Sequence, residues 1–122
     1  MLFCDTYDVL HVEKSSGADT LKVEYTLFLP ESLIDFQGHF PGLPLLPGIA
    51  QVHWIMEFSK ALGATGNFIS MERLKFMRPI LPQKTIQLVL ILSKENTHIE
   101  FQFFDNEGRY SEGRIILDGN NV

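Results

Sequence analysis

Two histidines lie close to one predicted helix start, in the segment DFQGHFPGLPLLPGIAQVHW of residues 35–54. His39 lies in a loop whose prolines fix φ and restrict the residues before them, so residues 38–48 are expected to be ordered. His53 follows in the second turn of the helix. Because an imidazole gains and loses its proton near neutral pH, a histidine held in one place suits general acid–base catalysis.

The start of the predicted helix offers hydrogen-bond donors beside this loop. The backbone N–H groups of Gly48 and Ile49 have no partner within the helix, and they lie at its positive dipole end. Such donors can bind a carbonyl oxygen that gains negative charge. Together with a histidine base, they suit proton abstraction next to a thioester or ketone, which is an enolate-type reaction.

Other kinds of site have weaker support in the sequence. His53 and Glu57 are spaced i, i+4 as two metal ligands would be, but the helix has no second histidine and no HExxH pattern. Cys4 is remote in sequence, and no GxSxG motif surrounds Ser59. We therefore predict no metal site, and we expect Glu57 to hydrogen-bond His53 or to face solvent.

The periodicity around this segment predicts one helix among antiparallel strands. Alternating residues over 7–16 and 20–29 predict a hairpin, and helical spacing over 49–62 predicts a helix that ends at Gly63. Further strands are predicted at residues 68–76, 85–93, 97–105 and 109–117. The strand beginning at Thr85 is apolar at nearly every position, which predicts burial of both its faces. One helix beside a mostly antiparallel sheet is an α+β domain.

Length and composition indicate an ordinary globular domain that spans residues 1–122. Of these 122 residues, 45% are hydrophobic and 20% are charged. The formal charge of -5 argues against a nucleic-acid partner. Four basic residues nevertheless fall within twelve positions. This basic segment, which comprises Arg73, Lys75, Arg78 and Lys84, can recruit an anionic partner, although solvated strand ends explain the same residues.

Targeting signals are not evident in the sequence. The chain has one cysteine, which excludes an internal disulfide and fits a reducing compartment. The first residues carry no basic leader, and nowhere do eighteen apolar residues run together. A cytoplasmic location without membrane insertion is therefore expected.

The proline loop resembles the active-site segment of the FabZ and FabA family of 3-hydroxyacyl-acyl carrier protein dehydratases. The matching residues are Gly38, His39, Phe40, Pro41, Pro44, Pro47 and Gly48. The segment LKFMRPILPQ of residues 74–83 is similar to a second family motif, and PGIAQVHW is similar to the ApeI-like dehydratases associated with aryl polyene synthesis. The resemblance implies a hotdog fold, in which a curved antiparallel sheet wraps a long central helix.

The resemblance also implies roles for individual residues. His39 would be the base or acid at the substrate's α carbon, and the Gly48 amide would hold the thioester carbonyl. Phe40, Pro41 and Ile49 would contact the substrate. The acyl chain would arrive on the phosphopantetheine of an acyl carrier protein that docks near the basic segment, so no metal or organic cofactor is expected. Family members form dimers, which implies a homodimer or a heterodimer with a related subunit.

One departure from the family pattern leaves the function open. The family has Glu or Asp fourteen residues after the loop histidine, where this chain has His53. A protonated His53 could donate a proton to the leaving hydroxyl, a neutral one could position a water, or the residue could face the dimer interface without a chemical role. We therefore predict a dehydratase with a trans-2-enoyl product, and two alternative functions stay open. They are a hotdog thioesterase and a non-catalytic acyl-carrier-binding subunit. Gln83, in place of a family glycine, is expected to alter only a turn.

Overall fold

The structure, a computed structural model, describes residues 7–33 and 46–119. The predictions for His39, Phe40 and Pro41, and for most of the proline loop, lie outside the described residues and stay predictions. Gly48, Ile49, His53 and the whole basic segment lie within them.

The described chain forms strands and a helix in the predicted order, with each boundary within one residue of its predicted position. The elements are β1 Asp8–Ser16, β2 Thr20–Leu29, α1 Gly48–Leu62, β3 Phe68–Phe76, β4 Lys84–Ser93, β5 His98–Asp105 and β6 Gly108–Leu117. Gly63 ends the helix in the left-handed region with φ 116°, and its N–H bonds the carbonyls of Ser59 and Lys60. A residue without Cβ adopts this conformation without strain, which explains the sharp stop.

The six strands form one antiparallel sheet in the order β1-β2-β4-β5-β6-β3. The chain leaves β2 near one edge, passes through α1, and enters β3 at the opposite edge. It then returns to pair β4 with β2. This crossover lays α1 over one face of the curved sheet, as the α+β prediction requires.

The core lies between α1 and that face of the sheet. Alternation along β2 and β4 turns every second side chain towards the helix, and these side chains are buried. They are Val23, Tyr25, Leu27 and Leu29 on β2, and Ile86, Leu88, Leu90 and Leu92 on β4. The helix contributes Ala50, Trp54, Ile55 and Phe58, and the Phe58 ring lies 4.2 Å from the Tyr25 ring centroid.

The prediction that both faces of β4 are buried was wrong. Gln87, Val89 and Ile91 point to the other face of the sheet and are only half-buried. In the described residues a single helix covers a single face, so the second face of this antiparallel sheet meets solvent. A strand that is apolar on both faces does not show, in its sequence, which face a helix will cover.

The two edges of the sheet differ from its centre. Every residue of β3 except Leu74 is exposed, including the apolar Phe68 (45%), Ile69 (56%) and Met71 (40%). An apolar edge strand with unpaired backbone groups is normally covered in a finished assembly.

In the part of the chain that is described, no helix is long and apolar enough to cross a membrane.

Candidate functional site

The first turn of α1, residues 48–51, presents uncapped amides. Pro47 precedes it in an extended conformation, and among the described residues no side chain caps the helix and no acidic residue lies in its first turn. The first carbonyl to receive an N–H is that of Pro47, bonded by Gln51 N at 3.1 Å. The amides of Gly48 and Ile49 therefore have no helical acceptor and lie at the positive dipole end, as predicted from the sequence.

The Phe76 ring lies directly against Gly48. A Cβ atom placed on Gly48 would lie 2.7 Å from Phe76 Cζ, which is closer than side-chain carbons approach one another. Glycine at this position thus lets an aromatic ring cover the helix start. A cavity of about 280 Å³ opens beside the ring, and we call it the Gly48 cavity; it is lined by residues 46–48, Gln51 and residues 76–79. Its volume is near the lower end for small-molecule sites.

His53 lies one turn further along α1, on its solvent side. Its Nε2 is 3.1 Å from Glu57 Oε1, and the two side chains are 69% and 56% exposed. Of the two predicted roles of Glu57, this places the carboxylate beside His53 as an ion pair and also leaves it facing solvent. Ile49 is 78% exposed on the same side of the helix. Among the residues that the structure describes, nothing covers this helix face, so a dry site here requires a further covering surface.

Arg78 is held by a cluster that also contains Asp105 and Tyr110. Its Nη2 donates to Asp105 Oδ1 and to the carbonyl of Gly108, both at 2.8 Å. Its guanidinium carbon lies 4.1 Å from the centroid of the Tyr110 ring. The Tyr110 hydroxyl donates to Asp105 Oδ2. We refer to these three residues as the Arg78 cluster, and it anchors the segment after β3 to the β5–β6 turn.

Electrostatics within the Arg78 cluster favour a charged carboxylate. Hydrogen bonds from Tyr110 and Arg78 hold the pKa of Asp105 at about 2, despite partial burial that opposes the charge. Burial, with the hydrogen bond to Asp105, raises the pKa of Tyr110 to about 12. The charge of Arg78 is therefore balanced by Asp105. The main structural role of Arg78 is to hold the wall of the Gly48 cavity.

The other members of the basic segment lie in different surroundings. Arg73 occupies a bulge in β3 at φ 54° and borders a separate cavity with Arg109 and Arg114. Lys75 is exposed near the end of β3, and Lys84 begins β4 opposite Leu29. Of the four residues of the basic segment, only Arg78 borders the Gly48 cavity. Among the described residues, no group of three or more His, Cys, Asp or Glu side chains could hold a metal ion.

Sequence reasoning missed Phe76 and Gln51 as parts of this site. Phe76 belongs to the quoted motif LKFMRPILPQ, but its contact with Gly48 joins residues that are far apart in the chain. Gln51 had a local signal, since it shares the buried helix stripe with Trp54, Ile55 and Phe58. A polar residue in an apolar stripe indicates a buried hydrogen-bonding role.

Solved structures with this topology place the chain in a fold class. An uncharacterized protein from Erwinia carotovora subsp. atroseptica is 36% identical with a TM-score of 0.82, over 92% of this chain and 95% of that one. A chain of the dehydratase heterocomplex ApeI:P from Xenorhabdus doucetiae is 31% identical with a TM-score of 0.79, over 92% and 97%. With one helix wrapped by an antiparallel sheet, the protein has the predicted hotdog fold.

Sequence comparison narrows the class to a family. The dehydratase FabZ of Erythrobacter litoralis is 31% identical, over 52% of this chain and 49% of that protein. The chain thus spans about half the length of the curated relatives it matches. The model of the ApeI-like family, described as ApeI dehydratase, matches residues 13–114. The chain belongs to the ApeI-like family of dehydratases, which confirms the resemblance found in the sequence.

Proposed function

We propose that the protein dehydrates 3-hydroxyacyl thioesters on an acyl carrier protein to trans-2-enoyl thioesters, in fatty acid or aryl polyene type biosynthesis. The observation that carries this proposal is the uncapped helix start at Gly48, which opens into a cavity in a chain of the ApeI-like family. Hydrogen-bond donors at the positive end of a helix are suited to a thioester oxygen that becomes an oxyanion.

The reaction would proceed by removal of the α proton and loss of the β hydroxyl. The Gly48 and Ile49 amides would donate to the thioester oxygen and stabilise the enolate. His39 would take the proton from the α carbon, and His53 would protonate the departing hydroxyl. The C–H electron pair becomes the new double bond, and the β carbon–oxygen bond breaks to release water. No metal ion or organic cofactor takes part in these steps.

Glu57 would orient His53 for this role. Its carboxylate oxygen lies 3.1 Å from Nε2, so a hydrogen on that nitrogen would point to Glu57 and Nδ1 would be left for the substrate. Protonated His53 would then offer the Nδ1 hydrogen to the β hydroxyl. This arrangement replaces the carboxylate of the family with an imidazole backed by a carboxylate.

A second hotdog subunit would complete the site. The apolar edge at β3 and the helix face with Ile49 and His53 are exposed in one chain, and the proposed reaction needs a site that excludes water. The likeness to a chain of a dehydratase heterocomplex supports a related subunit as partner, and a second copy of this chain is the other candidate. His39 of one subunit would then meet His53 of the other.

The substrate would reach this site on its carrier. Phe40 and Pro41 would contact the acyl thioester beside His39. Lys75, Arg73 and Lys84 would attract the acidic surface and phosphate of the acyl carrier protein, because exposed basic side chains steer anionic partners. Arg78 would act mainly from within the Arg78 cluster.

One assay separates the possible functions. The purified protein, alone and with a co-expressed related hotdog subunit, is incubated with a 3-hydroxyacyl-acyl carrier protein, and the acyl chain is followed by mass spectrometry. A chain lighter by one water supports the dehydratase. Free acid with free carrier thiol identifies a thioesterase, and an unchanged thioester that still binds identifies a non-catalytic subunit; either result refutes the proposal.

Substitution of the two histidines tests their assigned roles. His39→Ala is expected to abolish dehydration, and His53→Ala to slow it at least about tenfold, the weight of one transition-state interaction. His11→Ala is the matched control, because His11 forms a comparable exposed pair with Glu13 at 3.0 Å on β1. Wild-type turnover in His53→Ala would refute the role of that residue, and His11→Ala should keep full activity.

A further inference from the structure

Gln51 is a buried polar side chain that no step of the proposed reaction uses. It lies in the first turn of α1 and is 3% exposed, in a buried helix stripe that is apolar except for Gln51 and Ser59. A buried amide is costly unless its donors and acceptors are paired, so a glutamine here needs a structural or functional reason.

Both ends of the Gln51 amide are hydrogen-bonded. Its Oε1 accepts a hydrogen from Ser111 Oγ at 2.7 Å, and its Nε2 donates to the carbonyl of Leu46 at 3.3 Å. Ser111, on β6, is fully buried, and Leu46 is 4% exposed. The donation to a carbonyl oxygen defines which end of the amide is nitrogen.

These bonds connect the helix start to two other parts of the site. Leu46 lies just before Pro47, and its N–H donates to the carbonyl of Ile80 at 2.9 Å, so both of its backbone groups have partners. Ser111 is the cross-strand partner of Phe76, whose ring lies against Gly48. Gln51 is therefore linked to Gly48 through Ser111 and Phe76. It also holds Leu46, two residues before the helix begins.

We propose that Gln51 is a positioning residue, which holds the Gly48 amide at a fixed place relative to β6 and to Leu46. This inference rests on the proposed function. An apolar residue at position 51 would leave Ser111 Oγ and the Leu46 carbonyl without their partner and release the helix start from the sheet. Small displacements of oxyanion donors weaken transition-state binding more than substrate binding, so the effect falls on kcat.

The test compares Gln51→Leu with a matched control. In the sheet, Thr26 Oγ1 donates to Gln87 Oε1 at 2.8 Å, which is a similar hydroxyl-to-amide bond on β2 and β4 and not part of the site. Gln51→Leu is expected to lower kcat about tenfold, with KM within about twofold of wild type. Gln87→Leu should keep the wild-type kcat. An equal loss in both variants, or a folded Gln51→Leu protein with wild-type kcat, overturns the proposal.

A second pair of variants covers the case in which Gln51→Leu does not fold. Ser111→Ala removes the hydroxyl donor, whereas Ser111→Thr keeps it. Ser111→Ala is expected to lower kcat several-fold and Ser111→Thr to retain most of it. Where both variants fold, the double variant should lose less than the product of the two single losses, because both substitutions remove the same Ser111–Gln51 hydrogen bond. Wild-type kcat in Ser111→Ala would refute the positioning role.

A spectroscopic measurement keeps this inference separate from the proposed function. The backbone amide resonances of Gly48 and Ile49 are followed by NMR in the wild type and the variants. Both resonances are expected to shift in Gln51→Leu, or in Ser111→Ala, and to stay in place in Gln87→Leu. Absence of dehydration in the wild type would refute the proposed function alone. Unchanged resonances of Gly48 and Ile49 would refute the positioning role alone.

Discussion

The charge on Asp105 should contribute measurably to stability, and Asp105→Asn removes it with little change in shape. Hydrogen bonds from Tyr110 and Arg78 lower the pKa of Asp105 from 3.8 to about 2. Each pKa unit corresponds to about 1.4 kcal/mol, so a shift of nearly two units sets an upper value on the order of 2 kcal/mol. Because the Arg78 side chain is 34% exposed, solvent screening reduces this figure, and we expect about 1 kcal/mol at neutral pH.

The sign of the effect defines its pH dependence. Since the folded-state pKa lies below the unfolded one, this stabilisation is fully present above about pH 4 and is lost as the pH falls through 2. Urea unfolding at several pH values, followed by the fluorescence of the single buried Trp54, measures the free energy of unfolding of both proteins. The difference between wild type and Asp105→Asn should be largest near pH 7 and shrink towards pH 2.

A matched ion pair on the neighbouring strands provides the control. Arg114 Nη2 lies 2.8 Å from Glu100 Oε1, and the Glu100 side chain is 45% exposed. Glu100→Gln should therefore cost well under about 1 kcal/mol, as exposed ion pairs do. Equal stability of Asp105→Asn and wild type at pH 7, or a difference between them that does not change with pH, would refute the reasoning.

Two further predictions concern the Gly48 cavity and the basic segment. Gly48→Ala should push the half-exposed Phe76 ring outwards, with a change in unfolding free energy within about 1 kcal/mol but a clear loss of turnover. A variant with wild-type turnover and an unmoved ring would contradict this. Arg78→Ala should lower the melting temperature because the contacts of the guanidinium with Asp105 and Tyr110 are removed. Lys75→Ala should leave melting unchanged and raise KM for the carrier-bound substrate in a salt-dependent way, and the reverse pattern would show that Lys75 is the structural residue.

Local sequence signals accounted for most of the secondary structure. Alternation along Thr20–Leu29 predicted the inward face of β2, and helical spacing with Gly63 predicted both the helix and its end. These features depend on neighbours within a few residues, because periodicity and backbone preference are local properties. The uncapped amides at Gly48 follow from the same kind of reasoning, since any helix start leaves them unpaired.

The wall of the site depended on contacts between distant parts of the chain. Phe76 covers Gly48, Ser111 bonds Gln51, and Arg78 joins Asp105 and Tyr110 only because β3 pairs with β6 rather than with its neighbour in sequence, β4. Arg78 therefore appeared in the sequence as one member of a basic surface segment. In the fold it contacts Asp105 and Tyr110 and supports the wall of the Gly48 cavity. A choice of strand partner is made by the whole core at once, and no short window of residues contains it.

The chain alone thus specified which groups could do chemistry, namely two histidines and a set of helix amides, because residue type and helix geometry suffice for that. Tertiary structure decided what surrounds the amides, namely the ring of Phe76 and the hydrogen-bonded side chain of Gln51. It also left His53 on an open helix face beside Glu57. The physical reason is that a reactive group is a local property, whereas its confinement requires surfaces that only folding and assembly bring together.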